Sequence, residues 1–197
     1  TLGAGGVRPV PVAVSAQAQW PVYPLSASDG GWDERVRRRA RAVVAQADRA
    51  GGAGSRDAPL FVASSSLDIG HMEHEKDDRR LGGDLLDFAE IVAGALAWRG
   101  PVFTVSTACT SALNAILAAS DLLRGGGAEE ALVLGAEPDN RFTVAGFGAM
   151  QLLSPDGARP FGAGRDGLVL GEAFAALQLR TRPARWRIAG GANIVDG

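Results

Sequence analysis

Apolar positions recur along the chain with two different periods, and the switches between them mark the elements. Val36, Ala40, Val43, Val44 and Ala47 return at helical spacing, predicting an amphipathic helix from Trp32 to Ala50 that Gly51 and Gly52 end. Leu60 to Ala63 is apolar and strand-like. Leu85, Leu86, Phe88, Ala89, Val92, Ala93 and Leu96 predict a largely buried helix over Asp84 to Trp98. Next come a strand over Pro101 to Val105, a helix over Ser111 to Leu123 closed by three glycines, and a strand over Ala131 to Leu134.

Near the N-terminus, Val10 to Val14 reads as a short strand, and Pro21, Pro24 and the Gly30-Gly31 pair mark a loop after it. Leu168 to Leu179 and Trp186 to Ile194 read as two strands with no helix between them, which makes that last pair antiparallel. The alternation of strands and helices before them predicts a three-layer α/β unit with parallel strands.

At 197 residues the chain is one large domain or half of a bigger one, long enough to bury a substantial core. A net charge of −2, from 20 basic and 22 acidic residues, excludes a polyanion such as nucleic acid as the main ligand. Arg35, Arg37, Arg38, Arg39 and Arg41 crowd the first helix and suggest a carrier-protein or nucleic-acid surface. Helical charge runs are more often solvated faces, and that reading is preferred. No apolar run approaches the ~20 residues of a membrane span, and no secretory leader opens the sequence. One cysteine without a disulfide partner fits a reducing compartment, so a cytoplasmic location is expected.

That cysteine, Cys109, is the main chemical candidate. It falls where the Pro101 to Val105 strand gives way to a helix of small residues. A thiol there faces the positive end of the helix, where the dipole and free N–H groups favour thiolate, the nucleophilic form. The alternative is a small buried hydrophobe, the usual fate of a free cysteine.

Other candidates are weaker. Gly162, Gly164 and Gly167 match a G-x-G-x-x-G pattern, but the run leads into a predicted strand, whereas a dinucleotide fingerprint must open a helix. His71 and His74, with nearby carboxylates up to Asp78, could approach a metal. No further His or Cys is available, so a polar loop or helix start is expected, without metal. A triad drawn from Ser64 to Ser66, Asp68 and His71 lacks a nucleophile elbow.

Four ordered blocks resemble one family, the β-ketoacyl-acyl-carrier-protein synthases of fatty-acid and polyketide assembly. Val105-Ser-Thr-Ala-Cys109-Thr-Ser-Ala resembles their nucleophile motif. Leu132-Val-Leu-Gly-Ala-Glu137 and Gly146-Phe-Gly-Ala-Met150 resemble the following strand and pocket loop. Leu153-Ser154 and Arg159-Pro-Phe161 continue the match, as does Arg165-Asp-Gly-Leu-Val-Leu-Gly-Glu172.

The resemblance implies the first half of a three-layer thiolase-like fold, with a mixed five-stranded sheet and all 197 residues in one domain. It implies Cys109 as acyl-accepting nucleophile and Phe142, Phe147 and Met150, with the adjoining Gln151, as lining of the acyl pocket. Asp166 and Glu172 are implied as scaffold residues that pair with arginines. No cofactor is implied. Full-length members carry two catalytic histidines and a lysine in a second half, which His71 and His74 do not match. The expected partners are an acyl carrier protein bearing acyl and malonyl thioesters, and a second ketosynthase-type subunit in a homodimer or heterodimer. Two functions remain open: a condensing enzyme completed by a further segment or partner, and a non-catalytic chain-length-factor-like subunit.

Overall fold

The computed structural model describes residues 8–25, 30–74 and 85–194. The expected helix over 84–98 therefore begins, as described, at Leu85, and the carboxylates beyond His74 lie outside the described residues. The elements in chain order are β1 (Val10–Ala13), β2 (Gln19–Tyr23), α1 (Trp32–Gly51), β3 (Leu60–Ala63), α2 (Ile69–His74) and α3 (Leu85–Ala95). They continue with β4 (Val102–Val105), α4 (Ser111–Arg124), β5 (Glu130–Glu137), α5 (Arg141–Ala149), β6 (Leu170–Gly171) and β7 (Ala173–Arg180).

The central sheet has the order β4-β3-β5-β7, with β3, β4 and β5 parallel and β7 antiparallel to β5. Its two faces follow from the alternation of side chains along a strand. Leu60 and Val62 of β3, with Leu132, Leu134 and Ala136 of β5, face α1 and α3. There they meet Trp32, Val36, Ala40, Val44, Phe88 and Val92. Phe61 and Ala63, with Ala131 and Val133, face Ala115, Ala119 and Leu123 of α4. Helices on both faces of a largely parallel sheet give the expected three-layer α/β unit.

The sheet count differs from expectation. Instead of one five-stranded sheet there are a four-stranded sheet and a separate three-stranded one, β1-β2-β6. Residues 186–194 form no strand. After β7 the chain turns through Pro183, which has no N–H for a ladder, and runs against α4 instead. There Ile188 packs on the Phe61–Val133 side of the sheet, and its carbonyl accepts from Arg124 at 3.2 Å. The antiparallel partner of β7 is thus β5, in a register running from Glu130 opposite Arg180 to Glu137 opposite Ala173.

The region around Pro21 is also a strand, pairing with β1 so that Pro11 stands opposite Pro21. Pro21 does not interrupt the other side of β2, because the pairing with β6 begins at Val22.

Candidate active site

Strands β3, β4 and β5 are parallel, so their C-terminal ends open on one side of the sheet, where ligands of open α/β folds bind. A cleft of about 210 Å³ lies there. Cys109 and Ala112 line it from the β4–α4 junction, Ser64 and Ser65 from the end of β3, and Glu137 from the end of β5. The remaining wall is largely alanine, including Ala63, Ala173 and Ala175. Cys109 is exposed and unpaired, so its sulfur is accessible from solvent, unlike an inert core thiol.

The junction bends sharply. Ala108 has a φ of +53°, in the left-handed region that costs a residue with a Cβ roughly 1–2 kcal/mol. Such backbone persists only where its surroundings fix it. Thr110 N–H donates to the Thr107 carbonyl at 3.3 Å, and Ser111 N–H to the Ala108 carbonyl at 3.0 Å. Asn114 Nδ2 donates to Thr107 Oγ1 at 2.8 Å and to Thr110 Oγ1 at 3.3 Å. Cys109 is therefore carried on a tied turn just before the first residue of α4, at the end where the helix dipole is positive.

Glu137 faces the same cleft and is held by Ser65. One carboxylate oxygen accepts from Ser65 N–H at 3.0 Å and from its hydroxyl at 2.8 Å. The other is buried without a hydrogen-bond partner among the described residues.

The expected pocket residues lie elsewhere. Phe142, Phe147 and Met150 belong to or follow α5, reached from β5 through Pro138 to Asn140, and none of them lines the cleft. Phe142 and Met150 are exposed and Phe147 is half-buried. The segment that resembled a pocket loop, Gly146 to Met150, is the C-terminal end of a nine-residue helix and its cap, with Asn140 accepting from Thr143 N–H at 2.8 Å as the N-cap. Glu73 of α2 also caps it, accepting from the N–H groups of Arg141 and Phe142.

His71 and His74 are both engaged by carboxylates from other elements. His71 Nδ1 meets Asp33 at 2.7 Å, and His74 Nε2 meets Asp139 at 3.2 Å, so the two imidazoles turn to different carboxylates. Among the described residues no group of three or more His, Cys, Asp or Glu could hold a metal ion. Asp33 also takes the place that a triad would give Asp68, and Ser64 Oγ is engaged by the N–H groups of Ser66 and Leu67. The glycine run at 162–167 leads into β6, not a helix. Asp166 is exposed, whereas Glu172 pairs with Arg39 at 2.8 Å.

Arg35, Arg39 and Arg41 are pinned by Asp139, Glu172 and the Ala95 carbonyl, so much of the arginine run on α1 serves packing. Burial works to raise the Asp139 carboxyl, but two 2.9 Å bonds from Arg35, with its charge, and the contact with His74 outweigh it. They hold that group below the ordinary aspartate range.

The chain is thus a largely parallel-stranded α/β unit with an exposed cysteine beside a largely alanine-lined cleft. The family described as Beta-ketoacyl synthase, N-terminal domain, matches residues 42–184, and the chain belongs to it. Nodulation protein E of Rhizobium meliloti is 45% identical over 91 residues, a match covering 46% of this chain and 23% of that protein. The tetracenomycin polyketide synthase ketoacyl synthase alpha subunit of Streptomyces glaucescens is 39% identical over 104 residues, covering 47% and 24%.

Two solved structures share the fold. The ketosynthase ApeO in complex with its chain length factor ApeC, from Xenorhabdus doucetiae, matches with a TM-score of 0.63 at 24% identity. That match covers 89% of this chain and 51% of the other. A β-ketoacyl synthase from Burkholderia phymatum STM815 matches at 0.60 and 25% identity, covering 81% and 47%. The chain thus spans about a quarter of the length of these curated relatives and about half that of the structural neighbours. No helix among the described residues is long and apolar enough to cross a membrane.

Proposed function

We propose that residues 1–197 form the N-terminal half of a ketosynthase, and that Cys109 accepts the acyl group. The supporting observation is an exposed thiol, on a backbone turn fixed in the left-handed region, beside an alanine-lined cleft at a helix N-terminus. Its thiolate attacks the carbonyl of an acyl-carrier-protein or coenzyme A thioester. The tetrahedral intermediate collapses with cleavage of the bond to the carrier's sulfur, and the departing thiolate takes up the proton that Cys109 gave up.

The oxyanion is held by the Cys109 N–H and a second N–H from outside this chain. One such donor is worth on the order of 100- to 1000-fold in rate. Decarboxylation of a malonyl thioester then supplies the carbanion for Claisen condensation, assisted by two histidines from a further segment or a partner subunit. Phe142, Phe147 and Met150 are proposed as acyl-pocket residues reached from α5. The protein works in the cytoplasm in fatty-acid, polyketide or aryl-polyene-type synthesis.

Strand β4 is an edge of the central sheet, with Phe103 exposed on it and stacked on Phe61 at 4.8 Å. An uncovered edge of this kind favours pairing, so a dimer through β4 is part of the proposal. Size-exclusion chromatography with light scattering checks it; a monomer at micromolar concentration contradicts it.

The second reading is a chain-length-factor-like subunit that shapes a partner's pocket. The likeness in fold to a ketosynthase solved in complex with its chain length factor favours it; the accessible thiol argues against it. Incubation with an acyl thioester, followed by intact-mass spectrometry, separates the two. A single acyl adduct that Cys109→Ala abolishes supports the enzyme. No adduct, with or without a ketosynthase partner, removes it.

A further inference from the structure

We infer that Ser111 is a positioning residue for the nucleophile: its buried hydroxyl holds the Ala108–Cys109 turn in its left-handed geometry and ties it to β3. Ser111 is 4% exposed and is the first residue of α4. Its Oγ accepts from Thr107 N–H at 2.9 Å and donates to the Ala108 carbonyl at 2.6 Å, with the Ser64 carbonyl also within reach at 3.3 Å. One oxygen thus grips the turn on both sides of its positive-φ residue and connects it to the strand end that forms the opposite wall of the cleft.

Among the described residues no other side chain does this. Thr107, Thr110 and Asn114 bond to one another on the exposed side, and none of their side chains reaches Ala108 or β3. Without the Ser111 hydroxyl the Thr107 N–H loses its acceptor, and the Ala108 carbonyl keeps only the Ser111 N–H at 3.0 Å. The turn then relaxes, and Cys109 shifts from its place in the cleft wall ahead of α4. A positive φ at a non-glycine residue persists only when its surroundings over-determine it.

This rests on Cys109 being the nucleophile, yet thiol reactivity can be read without any acyl substrate. The second-order rate of iodoacetamide alkylation at Cys109 is measured in the parent protein and in Ser111→Ala, Ser111→Thr and Ser120→Ala. Ser120 is the control: it is equally buried, on the same helix, and donates to the Ile116 carbonyl at 2.7 Å away from the turn. Ser111→Ala is expected to slow alkylation about tenfold, the loss expected from one buried anchoring hydrogen bond. Ser111→Thr restores the rate by restoring the hydroxyl, and Ser120→Ala leaves it unchanged.

Parental reactivity in Ser111→Ala, or equal slowing in Ser120→Ala, overturns the inference. If Ser111→Ala does not fold, Ser111→Thr decides, since a slowed rate with the hydroxyl present also overturns it. A parent protein that alkylates normally but is never acylated defeats the proposed function and leaves the positioning result standing.

Discussion

Arg39 and Glu172 lie 133 residues apart in sequence and form a 2.8 Å ion pair, with side chains only 12% and 6% exposed. The pair joins α1 to the start of β7. The other carboxylate oxygen of Glu172 accepts from Leu25 N–H at 2.5 Å, which also ties in the chain after β2. Removing one member of a buried pair strands the other charge, at a cost of about 3–5 kcal/mol. Glu172→Gln is therefore expected to lower unfolding free energy by that order in urea titrations. Replacing both residues by leucine and methionine should cost clearly less, because no charge is left unpaired. Equal losses in the single and double variants would refute the ion-pair account.

Asp139 gives a pH dependence whose sign is fixed by geometry. Burial alone would raise the carboxyl, but Arg35 and then His74 outweigh it and hold the group below its ordinary range. The folded state therefore favours the carboxylate. Its stabilisation is complete above the unfolded value of about 3.9 and disappears as pH falls through the lower folded value. Thermal melts between neutral pH and pH 2 should show a shallower acid decline for Asp139→Asn than for the parent. Asp57 is also lowered, by Arg99, but both groups are fully exposed, so Asp57→Asn should leave the curve unchanged.

The layers were legible because burial imposes periodicity. Leu60 to Ala63 reads as uniformly apolar since it is covered on both faces, and Val36, Ala40 and Val44 recur because only one side of α1 meets the sheet. The strand-to-helix turn that carries Cys109 was legible because an apolar strand gives way there to a run of small residues. The cleft was not, because Ser64, Ser65 and Glu137 reach it from the ends of separate strands whose order no local pattern reveals.

Helix α5 was hidden by Gly146 and Gly148, and the latter is explained by Trp20, which lies where a side chain at 148 would stand. The Asn140 N-cap was the available signal. The Trp186 to Ile194 strand was wrongly expected: only Ile188 of that run packs, on the α4 side of the sheet, while Trp186 and Ile194 stand exposed outside any ladder.

Glu73 is expected to control α5 from the neighbouring helix. Its carboxylate receives Arg141 N–H at 2.7 and 3.0 Å and Phe142 N–H at 2.7 Å, which places negative charge at the positive end of α5. Glu73→Ala frees both amides, and loss of a capping acceptor costs about 0.5–2 kcal/mol. Hydrogen exchange at Arg141 and Phe142 should accelerate, while exchange in β5 stays as it was. If the two amides remain protected, Asn140 alone suffices as cap.

Gly70 shows how closely α2 sits on the rest of the molecule. A Cβ there would overlap both the Asp139 carbonyl oxygen and Trp32 Nε1, which are themselves hydrogen-bonded at 3.0 Å. Helix propensity alone favours alanine over glycine by about 1 kcal/mol. The overlap is with backbone and with a ring that is 1% exposed, so neither can yield easily, and overpacking of this kind costs about 1–3 kcal/mol. The clash therefore wins. Gly70→Ala should be destabilising and should break the Trp32–Asp139 bond, displacing His71, Glu73 and His74 together. Near-ultraviolet circular dichroism of the tryptophans and the melting temperature check this; an alanine variant as stable as the parent would show that α2 can shift at little cost.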